Sequence, residues 1–323
     1  MGTAPSRIRR APAASVALRG SPKQRGSGPL RRLPSGGLVI GAIASVQFGG
    51  ALAVGLFSAV GPGGAVLLRL ATASIVLVAI ARAGGRRGGR PHGEARSPWR
   101  EPRALVLPVA FGLVLAGMNL SFYASIHRIP LGIAVSLEFV GPLTVAVVGS
   151  RRRVDLIWVG LAVAGILALT DGSGHGVSGL GVVFALIAGA LWGAYILLSA
   201  RLGRAFERGT GLTVAMCVAA LAALPVGIAS GGTRLLEPRS LGIGAAVGIL
   251  SSAIPYSFEL EALRRIAAPV FGVLMSLEPA VAALMGLVVL GQGLSVRALA
   301  GIALVMTASV GASRRAHQAP TDV

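Results

Sequence analysis

Ten apolar runs of spanning or near-spanning length fill the chain from Gly37 to Ala312, and this constrains the fold more than any other feature. They fall at Gly37 to Val60, Gly63 to Ala83, Ala104 to Ile126, Leu131 to Gly149, Val154 to Thr170, Val177 to Ala200, Thr210 to Ser230, Ser240 to Leu263, Pro269 to Leu290 and Ser295 to Ala312. About 20 such residues cross a hydrocarbon core of about 30 Å as a helix. In lipid every backbone polar group must be bonded internally, so runs of this kind fold as helices. Only 13% of the 323 residues are charged, against about 25% in soluble domains. Together with a mean hydropathy of +0.78, this excludes two soluble domains and predicts an all-α integral membrane protein.

The net charge of +19 would suit a nucleic-acid binder if the basic residues formed one surface. Instead they lie between the apolar runs. With ten spans and the N-terminus inside, 25 of the 30 basic residues fall on one side, four on the other (Arg128, Arg234, Arg239 and Arg297), and Arg69 lies within a span. Basic residues collect in cytoplasmic loops, so this asymmetry predicts ten spans with both termini cytoplasmic. The charge then reports topology, and no nucleic-acid partner is expected. Residues 1–35, rich in Arg, Pro, Gly and Ser without an apolar core, are expected to be a disordered basic cytoplasmic tail, and residues 313–323 a second tail. The single cysteine, Cys217, sits in an apolar run, which excludes an internal disulfide and a cysteine metal site.

The chain also repeats itself. Ser136-Leu137-Glu138 returns as Ser276-Leu277-Glu278, 140 residues on, each in the fourth span of a set of five. Ser121-Phe122 matches Ser257-Phe258, Arg128-Ile129 matches Arg265-Ile266, and Gly160-Leu161-Ala162 resembles Gly301-Ile302-Ala303. A five-span unit is odd-numbered, so its second copy inserts with opposite orientation. The expected organisation is therefore two inverted five-helix repeats, residues 36–171 and 177–312, with a site near the midplane between them.

Pro269 to Leu290 carries one ionisable group, Glu278. A carboxylate at the centre of a span costs about 2.5–3.5 kcal/mol on insertion scales, so it is expected to face a polar cavity. Pro279 has no N–H for the carbonyl of Met275, and Pro142 likewise leaves the carbonyl of Glu138 without its helical donor. At helical rise Glu138 lies about 10 Å from one face and Glu278 about 13 Å from the other. The two glutamates either bridge helices through hydrogen bonds, with Ser136 and Ser276 as near partners, or carry protons or substrate.

Other polar groups form a weaker set. In the eighth span Ser252, Pro255, Tyr256 and Glu259 share a helical face, and Pro255 frees the carbonyl of Ser251. Glu259 and Glu261 both stand close to Arg264 and Arg265: Glu261 suits a structural ion pair, and Glu259 either such a pair or a proton or substrate site. Arg69 either snorkels to water or meets Glu138 or a substrate carboxylate. Asn119 and Tyr123 share a face in the third span, with Gln47 in the first and Trp192, Tyr195 and Ser199 in the sixth; the aromatics suit a cavity wall or an interfacial belt. His127 reads as a loop residue. No hydrolase triad, phosphate loop or metal-ligand cluster can be assembled, since His175 has only Asp171 nearby, and no cofactor is expected.

The segments SVQFGGALA, LEFVGPLTVAVVGSRR, IPYSFELEALRR and FGVLMSLEPAVAALMGLVVLGQ resemble the drug/metabolite transporter superfamily, and more closely its EamA-type threonine and homoserine exporters. The similarity runs from about Gly36 to Ala312. It implies proton-driven efflux of small amino acids across a bacterial inner membrane, so the partners expected are a small-molecule substrate, protons and the bilayer. Where that group usually reads Gly-Glu after the ninth span, this chain reads Gly291-Gln292. On the same fold another metabolite or a cationic drug is the alternative cargo, and a membrane scaffold or embedded enzyme the alternative class. Nothing in the sequence signals an oligomeric state.

Overall fold

A computed structural model describes residues 34–87, 102–148, 156–170, 178–206, 210–263, 265–266 and 268–316, which hold twelve α-helices and no strand. In order these are α1 (Ser35–Arg87), α2 (Pro102–Ile126), α3 (Leu131–Glu138), α4 (Val140–Val148), α5 (Leu156–Thr170), α6 (Gly179–Ala205), α7 (Thr210–Gly231), α8 (Pro238–Gly248), α9 (Ile254–Leu263), α10 (Ala268–Met275), α11 (Glu278–Leu290) and α12 (Val296–Ala316). The expected N-terminal tail up to residue 33, the turns holding Arg151–Arg153 and Asp171–His175, and residues 317–323 lie outside the described residues.

Among the described residues five segments are long and apolar enough to cross a membrane, namely Ser35–Ala83, Leu105–Ile126, Gly179–Ser199, Thr210–Leu236 and Val270–Leu290. Shorter apolar helices occupy Leu131–Val145, Ile157–Leu169 and Val296–Ala312. The first segment, 49 residues, would extend about 70 Å if straight, twice the bilayer core. It is not straight. Gly61 adopts φ 68°, ψ 170°, open to glycine but not to residues with a Cβ, and Pro62 begins the second arm. The two apolar runs separated by Gly61-Pro62 in the sequence are thus the two arms of α1. Large apolar side chains, among them Ile75, Val106, Leu113, Leu221, Leu287 and Val288, are left on the outer surface, as lipid-facing residues must be.

The remaining departures from uninterrupted spans occur at polar or proline positions. Pro238–Leu263 is divided by a π turn, Ile249–Ala253, ahead of Pro255. Two runs expected as single helices are each broken near a glutamate, after Glu138 and before Glu278. Close backbone contact holds the first of these breaks in place. A Cβ on Gly141 would stand 1.8 Å from the carbonyl oxygen of Gly189, and one on Gly189 would stand 2.6 Å from the carbonyl oxygen of Glu138, so α4 and α6 meet main chain to main chain. On the other side of α3, Gly132 rests on the backbone of Ala283 in α11 in the same way. The arms of α1 run through the middle of the bundle, packed along α7, α8, α9 and α11, while α5 packs on α12.

Candidate functional site

The helix breaks surround a central cavity of about 370 Å³, within the roughly 300–1,000 Å³ of small-molecule sites. Helix α1 contributes Val46, Gln47, Gly50 and Arg69, and α2 contributes Met118, Asn119 and Phe122. Glu138, Phe139, Pro142 and Leu143 line it at the first break, with Trp192, Tyr195 and Ile196 from α6. Opposite them stand Ser251, Pro255 and Glu259, then Phe271, Gly272, Met275 and Glu278 at the second break, with Ser309 and Ala312 from α12. Both halves of the sequence therefore supply walls.

Glu278 is the most constrained polar group. It is 8% exposed. Gln47 Nε2 donates to its Oε1 at 2.9 Å, and its Oε2 is buried with no hydrogen-bond partner among the described residues. A buried carboxylate oxygen left unbonded is costly, and here it belongs to a residue that lines the cavity. Glu138, also 8% exposed, stands within electrostatic reach of both Glu278 and Arg69, as Glu259 does of Glu278. Three carboxylates and one guanidinium thus share one apolar enclosure.

Arg69 turns inward. Its Nη1 donates to the Tyr123 hydroxyl at 3.3 Å and its Nη2 to the Ser251 carbonyl at 3.3 Å, while its guanidinium carbon sits 5.7 Å from the Tyr123 ring centroid. The second contact has a local cause: Pro255 removes the N–H that would have served the Ser251 carbonyl, and Arg69 supplies a replacement. The neighbouring carbonyl of Leu250, loosened by the π turn, accepts from Ser45 Oγ at 2.7 Å. The backbone irregularity of the eighth span is satisfied by side chains of α1.

Of the residues expected to line a cavity, Gln47, Asn119, Trp192 and Tyr195 do so. Asn119 is fixed by donating from Nδ2 to the Leu115 carbonyl at 2.8 Å, and Trp192 meets Phe139 edge to face at 5.2 Å. Tyr123, Ser136 and Ser276 are not in the wall. Tyr123 is wholly buried behind it, Ser136 Oγ donates to the Gly132 carbonyl, and Ser276 Oγ bonds the Gly272 carbonyl and Ser309 Oγ. Neither serine serves its neighbouring glutamate, because each is back-bonded to the turn before it. The Tyr256 side chain lies outside the described residues. Glu261 Oε1 accepts from Arg265 Nε at 2.9 Å, the structural pair expected. No group of three or more metal-ligating side chains occurs among the described residues.

One contact that the sequence did not point to joins the two halves of the chain. Gln292 Oε1 accepts from the Leu131 N–H at 3.0 Å, filling one of the four unpaired donors at the start of the helix that ends in Glu138. Position 292 departs from the Gly-Glu pattern, but a partner 161 residues away has no local signature.

Comparison with known proteins gives these features a setting. The EamA-like transporter family model matches residues 179–314. The chain is 41% identical over 288 residues to the threonine/homoserine exporter RhtA of Salmonella typhimurium (strain LT2), covering 86% of this chain and 91% of that protein. It is 40% identical over 298 residues to RhtA of Escherichia coli (strain K12), covering 88% and 94%. An uncharacterized transporter of Bacillus subtilis (strain 168), YwfM, shares 30% identity over 169 residues, 51% of this chain and 57% of that one. A protein crystal structure superposes with a TM-score of 0.54 at 18% identity, covering 87% of this chain and 98% of its own, a likeness of fold. An all-helical membrane protein with such relatives is a multi-pass transporter and not an enzyme. The chain belongs to the EamA-like transporter family within the drug/metabolite transporters.

Proposed function

We propose that this protein exports small zwitterionic amino acids of the threonine and homoserine kind in exchange for protons. The observation that carries this reading is the Glu278 carboxylate, held by Gln47 on one oxygen and buried without a hydrogen-bond partner on the other, on a residue that lines the same cavity as Arg69. A substrate ammonium or a proton satisfies Oε2 of Glu278. A substrate carboxylate is drawn to Arg69, with Asn119 and Gln47 beside it. Glu138 and Glu259 share the proton load, Trp192 and Tyr195 shape the cavity, and Tyr256 belongs with them. The RhtA relatives, named as threonine/homoserine exporters, support both the direction and the cargo.

The same proposal includes the topology. Ten spans in two inverted five-helix units, residues 36–171 and 177–312, place both termini in the cytoplasm of a bacterial inner membrane, with basic tails at residues 1–35 and 313–323. Support comes from the one-sided distribution of 25 of 30 basic residues and from the recurrence of a glutamate at a broken helix in each half. The kinks at Pro142, Pro255 and Pro279 then supply the discontinuities about which half-helices rock between inward-open and outward-open states.

The deciding measurement is export of labelled threonine or homoserine from cells carrying Glu278→Gln at normal expression; undiminished efflux overturns the role assigned to Glu278. A cationic cargo is the second reading, favoured by three carboxylates against one arginine among aromatic walls. It predicts protection against lipophilic cations with no effect on amino-acid tolerance.

A further inference from the structure

A second hollow of about 500 Å³ lies on the side of the bundle where α2 ends and α3 begins, bordered by Phe57, Ser58, His127, Arg128 and Gln292 among others. It shares no lining residue with the central cavity. A short series of aromatic contacts runs from one to the other. The His127 ring, in the hollow, meets Phe57 edge-on at 5.6 Å, Phe57 meets Tyr123 at 5.8 Å, and Tyr123 receives the Arg69 guanidinium on its hydroxyl from the central cavity. Tyr123 is 0% exposed and reaches neither space. The series therefore links a residue of each cavity through two side chains.

We infer that Phe57 and Tyr123 form the gate between the central cavity and the hollow, and that Arg69 is its latch, released when a substrate carboxylate takes the guanidinium. The release step rests on the amino-acid reading of the cargo; the gate does not. The logic is competition for one cation. A guanidinium over an aromatic face and bonded to its hydroxyl holds the ring in place. A carboxylate offers it a stronger, charge-assisted bond, and the ring is then held only by packing, Phe57 and Phe122 among its neighbours. Cargo that lacks a carboxylate leaves the latch closed, so recognition and opening depend on the same side chain. Gln292, which ties the end of α11 to the start of α3 beside the hollow, braces the frame around the gate.

The test uses full-length protein with Cys217→Ala and one new cysteine, Met118→Cys in the central cavity, in membrane vesicles of both orientations. Labelling of Ser58→Cys by a membrane-impermeant maleimide identifies the hollow's side. From that side, Met118→Cys should label slowly, and Tyr123→Phe, which keeps the ring, should raise the rate roughly fivefold, as loss of one net hydrogen bond predicts. Arg69→Gln should give a similar rise, and the double variant no more than either alone. Phe57→Leu, which thins the wall but leaves the latch bonded, should also raise it. Unchanged labelling in Tyr123→Phe and Phe57→Leu at unaltered thermal stability overturns the gate, and additive effects of Arg69→Gln and Tyr123→Phe overturn the latch. Faster labelling without thermal stabilisation by threonine keeps the gate and overturns the cargo.

Discussion

Ser-Leu-Glu occurs twice in this chain, and the two copies end up on opposite sides of a helix break. In the first, Pro142 stands four residues after the glutamate, the break falls at Phe139, and Glu138 ends α3. In the second, Pro279 follows at once, the break falls at Ser276 and Leu277, and Glu278 begins α11. Glu138 thus faces the negative end of its helix dipole and Glu278 the positive end. Their supports differ too. The main chain at Glu138 is pressed against Gly189, whereas Glu278 is held through its side chain by Gln47. A repeated tripeptide supplies two carboxylates to one cavity, and the placement of a proline decides what each is anchored to.

The largest effect should come from the backbone anchor of the first copy. Gly141→Ala places a Cβ 1.8 Å from the Gly189 carbonyl oxygen, and Gly189→Ala places one 2.6 Å from that of Glu138. Main chain on both sides cannot yield like a flexible side chain, so each should cost at least about 1–3 kcal/mol. Gly141→Ala should fail to accumulate, and Gly189→Ala should be expressed with a clearly lowered melting temperature in detergent. Normal melting of both would mean that the first break is not clamped by α6.

Next in size is the side-chain anchor of the second copy. Gln47→Leu removes the donor to Glu278 Oε1 while keeping its bulk, and should reduce threonine export roughly tenfold, the scale of a hydrogen bond to a charged group. In a double-mutant cycle Gln47→Leu should couple to Glu278→Gln and be additive with Glu138→Gln. Equal coupling to both glutamates would erase the distinction drawn between them.

How much of this was readable beforehand follows from what each signal encodes. Hydropathy and proline report on local backbone, so the apolar runs, the bend at Gly61-Pro62 and the discontinuities near Glu138, Ser251 and Glu278 could be anticipated. The freed carbonyl of Ser251 follows from Pro255 alone, but that Arg69, 182 residues earlier, would serve it does not. Gln47 with Glu278, Gln292 with Leu131 and Gly141 with Gly189 join residues on different helices. Each depends on which helix faces which, and periodicity in one segment carries no record of that. The serines show the converse error: proximity in sequence suggested a bond to the glutamate, whereas the preceding turn's carbonyl was nearer.

The contact between the two halves of the chain gives a smaller effect. Gln292→Ala leaves the Leu131 N–H without its acceptor at the start of α3, for a loss of about 1 kcal/mol. Gln292→Glu instead puts a carboxylate at that helix start, where the dipole favours it by about 0.3–1 kcal/mol. Thermal unfolding should therefore order Gln292→Glu at or above the parent and Gln292→Ala below it. The reverse order would remove Gln292 from the support of the first break.

The finest distinction lies in the serines themselves. Ser136 Oγ donates to Gly132 within its own helix at 2.7 Å, and the opposing helices have no part in the bond. Ser276 Oγ bonds Gly272 in its own segment but also Ser309 of α12 at 2.9 Å, so it joins the second break to another helix. Interhelical hydrogen bonds in membrane proteins average about 0.6 kcal/mol, and a serine bonded back to its own turn slightly destabilises a helix. Ser276→Ala should therefore lower stability by about that amount, and Ser136→Ala should leave it unchanged or a little raised. Ser309→Ala should match Ser276→Ala, and the pair together should cost no more than either, because both remove the same bond. Should Ser136→Ala prove the more damaging, the first break would depend on side-chain bonding as the second does, and the contrast between backbone and side-chain anchoring would fail at its most sensitive point.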